Sequence, residues 1–225
     1  MSNNAGSLFI VATPIGNLGD ISFRAKEVLG SVDQVLCEDT RVTARLMAAL
    51  EIRPSLQSFH EHTDPMKRRA LVEMILEGKS LALVTDAGTP AISDPGGALV
   101  ADCVKAGIKV LPIPGASAVI AALSVSGFMF DRFTFVGFPP HKKGRETFFR
   151  ELERLDHVIV LYESTHRIEK TLTSLAALNR PLVVCRELTK LHETIYRGSA
   201  QEIMQQLSQT SSKGEFVIVV GNAIA

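Results

Sequence analysis

Cysteine is scarce in this chain of 225 residues, and its three positions, Cys37, Cys103 and Cys185, stand far apart. None has metal-ligand spacing, and each lies in or beside an apolar segment. Buried free thiols in a reducing cytoplasm are therefore expected. No charge of one sign dominates: 24 Lys and Arg balance 24 Asp and Glu. That excludes a global electrostatic pull toward nucleic acid and leaves only local basic patches. No apolar run approaches the ~20 residues of a membrane span. Met1 to Gly6 lacks the basic and apolar regions of a signal peptide, and repeats, low-complexity tracts and long charge runs are missing too. What is present is 46% apolar and 21% charged residues. This composition suits a well-cored globular chain of one large or two small domains.

The most informative stretch is Leu81 to Gly97. Leu81-Ala82-Leu83-Val84 is apolar without alternation, which suits a strand buried on both faces of a parallel sheet. It breaks at Thr85-Asp86-Ala87-Gly88-Thr89-Pro90, a carboxylate and a glycine where open α/β sheets bind ligands. Ser93 and Asp94 then offer caps for a helix through Ala98 to Lys105. Similar units precede and follow. Leu8 to Ala12 is a strand, Thr13 to Asp20 a loop, and Ser22 caps a helix over Phe23 to Leu29. The loop has neither G-x-G-x-x-G spacing nor a Gly-Lys-Ser/Thr end, and Pro14 has no N–H to donate to a phosphate. Val32 to Cys37 is a strand ending in Glu38-Asp39-Thr40-Arg41. Asp39 or Thr40 caps the helix Val42 to Leu50, or the two carboxylates and Arg41 collect at the sheet edge. Leu56 to Phe59 is a strand. His60-Glu61-His62 has two imidazoles but no third ligand at supporting spacing, so a solvated loop is expected there, with no metal. Thr63 or Asp64 caps the helix Arg69 to Leu76. Ile108 to Ile113 is a strand that breaks into Pro114-Gly115-Ala116-Ser117-Ala118, opening a helix to Val125.

Strand–helix alternation up to this point predicts a parallel sheet covered on both faces. A boundary is expected near Ser124 to Asp131, giving domains 1–124 and 125–225. In the second half, strands are expected at Phe133 to Val136, Val158 to Leu161, Pro181 to Cys185 and Phe216 to Val220, with a β segment at Glu193 to Gly198. Helices are expected at Glu146 to Leu155, Ile168 to Leu178 (capped by Ser164 or Thr165) and Gln201 to Leu207. His141-Lys142-Lys143-Gly144-Arg145 is the most basic short segment, either a flexible exposed loop or an arm for phosphates. Two α/β halves with polar loops on matching strand ends suggest a cleft between them.

Thr85 to Pro90, Pro114 to Ala118, Gly137-Phe138-Pro139-Pro140, Glu163-Ser164-Thr165-His166-Arg167 and Lys213-Gly214-Glu215-Phe216 stand in one order. That ordered set resembles the tetrapyrrole methylase superfamily of S-adenosylmethionine (SAM) enzymes, over Leu8 to about Val220. The first loop, Thr13-Pro14-Ile15-Gly16-Asn17, replaces the superfamily's glycine-rich loop, and Asp86-Ala87-Gly88 replaces its Gly-Asp-Pro. Both are similar to the RNA-directed branch. The resemblance implies two α/β domains, parallel sheet first and mixed sheet second, with SAM in the interdomain cleft. It implies 2′-O-ribose methylation of a cytidine in the decoding region of 16S rRNA within the small ribosomal subunit, by a cytoplasmic homodimer. It carries cofactor binding onto Asp86, Ala87, Gly88 and Thr89, onto Ala116, Ser117 and Ala118, and onto Phe138, Leu188 and Gly214, with the Thr13 to Asp20 loop facing the acceptor. Members of that branch often continue beyond the last strand, and the resemblance leaves open whether an accessory segment follows Ala225.

Ribose hydroxyls are poor nucleophiles, and a nearby base helps. Glu38, Asp39, His141 and His166 are the candidates at strand ends, with no choice among them. Arg24, Arg41, Lys142, Lys143, Arg145 and Arg167 are candidate RNA phosphate contacts. The alternatives are a SAM-dependent methylase of a small tetrapyrrole and a non-catalytic ribosome-binding protein. The basic loop and altered first loop stand against the former, and the small, polar cofactor loops against the latter.

Overall fold

The computed structural model describes residues 6–61 and 63–223. His62 of the His60-x-His62 pair lies outside them; among the described residues no group of three or more His, Cys, Asp and Glu is arranged to hold a metal ion. The chain divides into two compact units, Met1–Ser117 and Ala118–Ala225.

The first unit runs β1 (Ser7–Val11), α1 (Phe23–Ser31), β2 (Gln34–Cys37), α2 (Thr40–Ala49), β3 (Leu56–Ser58), α3 (Pro65–Leu76), β4 (Leu81–Leu83), α4 (Gly97–Lys105) and β5 (Lys109–Ile113). Its five strands pair in the order β3-β2-β4-β1-β5, all parallel. The unalternating apolar run explains why. Leu81 and Leu83 pack on one face with Leu71, Ile75, Leu99 and Cys103 of α3 and α4. Ala82 and Val84 pack on the other with Ala25, Leu29 and Met47 of α1 and α2. A residue on either side of the pleat thus meets a helix. The caps fix where the helices begin. Ser22 accepts the Ala25 N–H at 3.1 Å, Asp39 caps α2, and Asp64 caps α3 with Pro65 at the first position. Pro65 is pre-set for a helix start, so α3 opens four residues before the expected Arg69.

The second unit runs α5 (Ala118–Ser124), β6 (Phe133–Phe135), α6 (Arg145–Leu152), β7 (Val158–Ser164), α7 (Ile168–Ala176), β8 (Leu182–Arg186), β9 (Thr194–Gly198), α8 (Ala200–Gln209) and β10 (Glu215–Val220). The sheet order is β6-β7-β10-β8-β9. Among the described residues only β6 and β7 pair in parallel, so the sheet is mixed. Helices α6, α7 and α8 cover one face. Helix α5 covers the other, through Val119, Ala122 and Leu123 against Val158, Val160, Val183 and Val219. That packing puts Ala118 to Ser124 with the second unit, whereas the sequence groups this helix with the first domain.

Two expected caps are not made. Helix α4 starts after Gly96 with no side-chain cap, because Asp94 turns to Thr85 instead. Helix α7 starts after Arg167, also without one. There Thr165 is held by Gly214, whose N–H it accepts at 2.7 Å and whose carbonyl it donates to at 2.8 Å.

Candidate active site at the carboxyl edge of the parallel sheet

Strand β4 sits between β1 and β2. The chain leaves β4 toward α4 on one face, while it leaves β1 and β2 toward α1 and α2 on the other. Loops that part to opposite faces open a crevice at the strand ends, the usual ligand position in an open α/β sheet. The Thr85 to Pro90 loop lies at that point.

This loop is tied to each of its neighbours. Thr13, after β1, donates its N–H to the Gly88 carbonyl at 2.9 Å and accepts the Gly88 N–H at 3.1 Å. Its buried hydroxyl donates to the Thr85 carbonyl at 3.1 Å. After β2, the Asp39 N–H donates to Asp86 Oδ1 at 3.3 Å. After β5, the Ala116 carbonyl accepts the Thr89 hydroxyl at 3.4 Å. Gly88 takes φ +85° to make the reciprocal pair with Thr13, a conformation glycine adopts without steric cost. Asp86 and Ala87 remain exposed at the rim, Thr89, Ala116, Ser117 and Ala118 are half-buried, and Gly88 is buried.

The carboxylates of this edge divide by environment. Asp39 receives the Arg41 N–H at 2.8 Å and the Arg41 guanidinium at 3.0 and 2.6 Å. Those hydrogen bonds hold its carboxyl well below the usual carboxylate range. Asp94 goes the other way. Burial, with Glu38 and Asp86 nearby, pushes its carboxyl up to about 6 against a hydrogen bond from Thr85. The sequence offers Asp94 only as a helix cap and gives Thr13 no tethering role. The one visible signal for Thr13 is a β-branched hydroxyl where a glycine-rich loop would otherwise begin.

In the second unit, the ends of β7 and β8 and the start of β10 form another set of tied loops. Phe138 is exposed beside Tyr162, with ring centroids 5.4 Å apart. Leu188 is half-buried against the α5 face. Gly214, at φ +133°, leaves no room for a Cβ, which would fall 2.7 Å from Glu187 Cγ. Lys190 bridges Glu187 and Glu215 at 2.9 and 2.8 Å.

The six basic candidates do not share one fate. Arg24, Arg41, Lys142 and Lys143 are exposed, although Arg41 is spent on Asp39. Arg145 is buried, so its guanidinium is not a surface phosphate contact. Arg167 is largely covered and pairs with buried Glu163 at 2.6 Å. The signal for this pair is a carboxylate closing the apolar run of β7 with an Arg four residues on. Of the base candidates, Glu38 and Asp39 lie in the first unit near Asp86 and Asp94, while His141 and His166 are exposed in the second.

The profile described as Tetrapyrrole (Corrin/Porphyrin) Methylases matches residues 7–204. The chain belongs to this family. Among its relatives is the ribosomal RNA small subunit methyltransferase I of Synechocystis sp., 45% identical over 222 residues, 97% of this chain and 80% of that protein. Its counterparts in Halalkalibacterium halodurans and Escherichia coli O157:H7 are 42% and 43% identical, each over 97% of this chain and over 76% and 78% of their own length. The methylase fold is seen in the solved cobalt precorrin-4 methyltransferase of cobalamin biosynthesis, with a TM-score of 0.70 at 18% identity, over 96% of this chain and 94% of that one. It is seen also in uroporphyrin-III C-methyl transferase from Thermus thermophilus complexed with S-adenyl homocysteine, with a TM-score of 0.65 at 16% identity, over 96% and 97%.

Proposed function

We propose that this chain is a SAM-dependent methyltransferase that acts on the 16S rRNA of the small ribosomal subunit, at a ribose 2′-oxygen of a cytidine in the decoding region. The observation that carries the reading is identity above 40% over nearly the whole chain to proteins named as ribosomal RNA small subunit methyltransferases. Gly88, Ala87 and the Ala116 to Ala118 turn bring backbone and small side chains to one edge, and Asp86 stands exposed there. Such a surface fits a nucleoside with hydroxyls and an amino group to recognise. When bound, SAM supplies an electrophilic methyl carried on a sulfonium.

The chain's own residues would then do three things. The tethered loops hold Asp86 ready to accept from ribose hydroxyls or the amino group, without reorganising on binding. Placement of the acceptor oxygen in line supplies much of the acceleration. A basic group takes the proton from the attacking hydroxyl. Asp39 is a poor proton acceptor because Arg41 holds it ionised. Glu38, His141 and His166 stand for that role, and Asp94 joins them with a proton affinity closer to neutrality. A homodimer working in the cytoplasm completes the reading.

The test is transfer of labelled methyl from SAM to small ribosomal subunits that lack the modification, with naked 16S rRNA and a precorrin-type acceptor in parallel. Label on a ribose 2′-oxygen is the expected result. Label on the tetrapyrrole alone would move the assignment to a small-molecule methylase, and no SAM binding by calorimetry would leave a non-catalytic ribosome-binding protein.

A further inference from the structure

The basic segment His141 to Arg145 divides into an outward and an inward part. His141, Lys142 and Lys143 are exposed, and neither lysine is in an ion pair among the described residues. Arg145 is 6% exposed. Its N–H donates to the Lys142 carbonyl at 3.3 Å and its Nη1 to the Pro140 carbonyl at 3.2 Å. Backbone and side chain of one residue thus close the loop back on itself, with Gly144 turning the corner at φ +82°.

The clamp is anchored in the core of the second unit. Arg145 Nη2 donates to the Thr171 hydroxyl at 2.7 Å, and that hydroxyl donates to Glu163 Oε2 at 2.5 Å. Glu163 also accepts from the Ser164 N–H at 2.8 Å and from Arg167 at 2.6 Å. The guanidinium of Arg145 lies 4.9 Å from the centroid of the Phe149 ring. Its Nε is buried without a hydrogen-bond partner among the described residues, a desolvation cost that an apolar side chain would avoid.

We infer that Arg145 is a positioning residue: through Thr171 and Glu163 it holds the 140–145 loop as a fixed cationic platform whose Lys142 and Lys143 take the phosphodiester backbone of RNA. This rests on the rRNA reading above. Two exposed lysines in no ion pair among the described residues suit a polyanion, and a loop already closed loses less freedom when it binds one.

The probe is naked 16S rRNA, titrated between 50 and 200 mM salt, with S-adenosylhomocysteine binding measured on the same proteins. Replacing Lys142 and Lys143 together by Ala removes two phosphate contacts, so affinity falls and the salt slope drops by about 1.4 for single-stranded contacts. Arg145→Met and Thr171→Val keep both lysines. Affinity falls roughly three- to tenfold with the slope retained, and Thr171→Ser restores it. S-adenosylhomocysteine affinity stays at the wild-type level throughout, which also reports folding. An unchanged slope in the double lysine variant overturns the platform. Wild-type RNA affinity in Thr171→Val, the gentler of the two clamp variants, overturns the clamp. If the wild-type chain binds S-adenosylhomocysteine but neither naked 16S rRNA nor small ribosomal subunits lacking the modification, the rRNA reading itself fails, an outcome distinct from both.

Discussion

Thr13 occupies a place where a single hydroxyl joins two loops. Its hydrogen bond satisfies the Thr85 carbonyl inside the protein, where both residues are buried. Thr13→Val keeps the shape and removes the donor, leaving a buried acceptor unpaired. A loss of ~1–3 kcal/mol is expected from denaturant unfolding, with Thr13→Ser close to wild type. Asp94 makes a pH-dependent contribution. Its ordinary value of 3.8 is raised to about 6 in the folded chain. The folded state therefore binds more protons than the unfolded chain between those values, and stability falls as pH rises through that window, then levels off. Asp94→Asn removes this dependence. The melting temperature of the variant relative to wild type should climb from pH 4 to pH 7, by the equivalent of about 1–2 kcal/mol. A difference that stays flat with pH would mean that Asp94 titrates as an ordinary surface carboxylate.

Elements are legible in the sequence where side-chain partners are not. Strands and helices are set by local signals: the unalternating run at Leu81 to Val84, the cap at Ser22 and the cap at Asp64 act within a few residues. Positive-φ turns and long-range partners are not local. Asp94 follows a serine and precedes Pro-Gly, a good capping context, yet its partner is Thr85. Arg145 sits in a run of cations that reads as surface, and only the fold reveals Thr171 beneath it. The loop that ends at α4 is strained in the same non-local way, with Ala91 and Ser93 at φ +66° and +63°. Gly96 closes it at φ +133°, where an added Cβ would fall 2.5 Å from Leu83 Cδ2. Gly96→Ala combines a left-handed backbone with overpacking of a β4 core residue. It should destabilise the protein by about 2–3 kcal/mol in urea unfolding.

At the scale of the whole molecule, the apolar content expected to make a core does so in both units, each sheet being covered on both faces. All three thiols are swallowed by those cores. Burial pushes Cys103 and Cys185 up to about 11 and raises Cys37 as well. Since the thiolate is the reactive form, a disulfide reagent at pH 8 should label none of them in the native protein within minutes. It should label all three in guanidinium. Rapid reaction of one native thiol would show that its sheet opens locally.

The reciprocal pair between Thr13 and Gly88 bears on how the site breathes. Each amide is held by the other residue's carbonyl, so neither proton can meet solvent unless both loops part together. Amide hydrogen exchange at these two positions should therefore run at one common rate, closer to that of β1 and β4 than to that of ordinary loops. The rim of the site would then open as a single hinged leaf, and a bound nucleoside spanning both loops would slow the pair in equal measure.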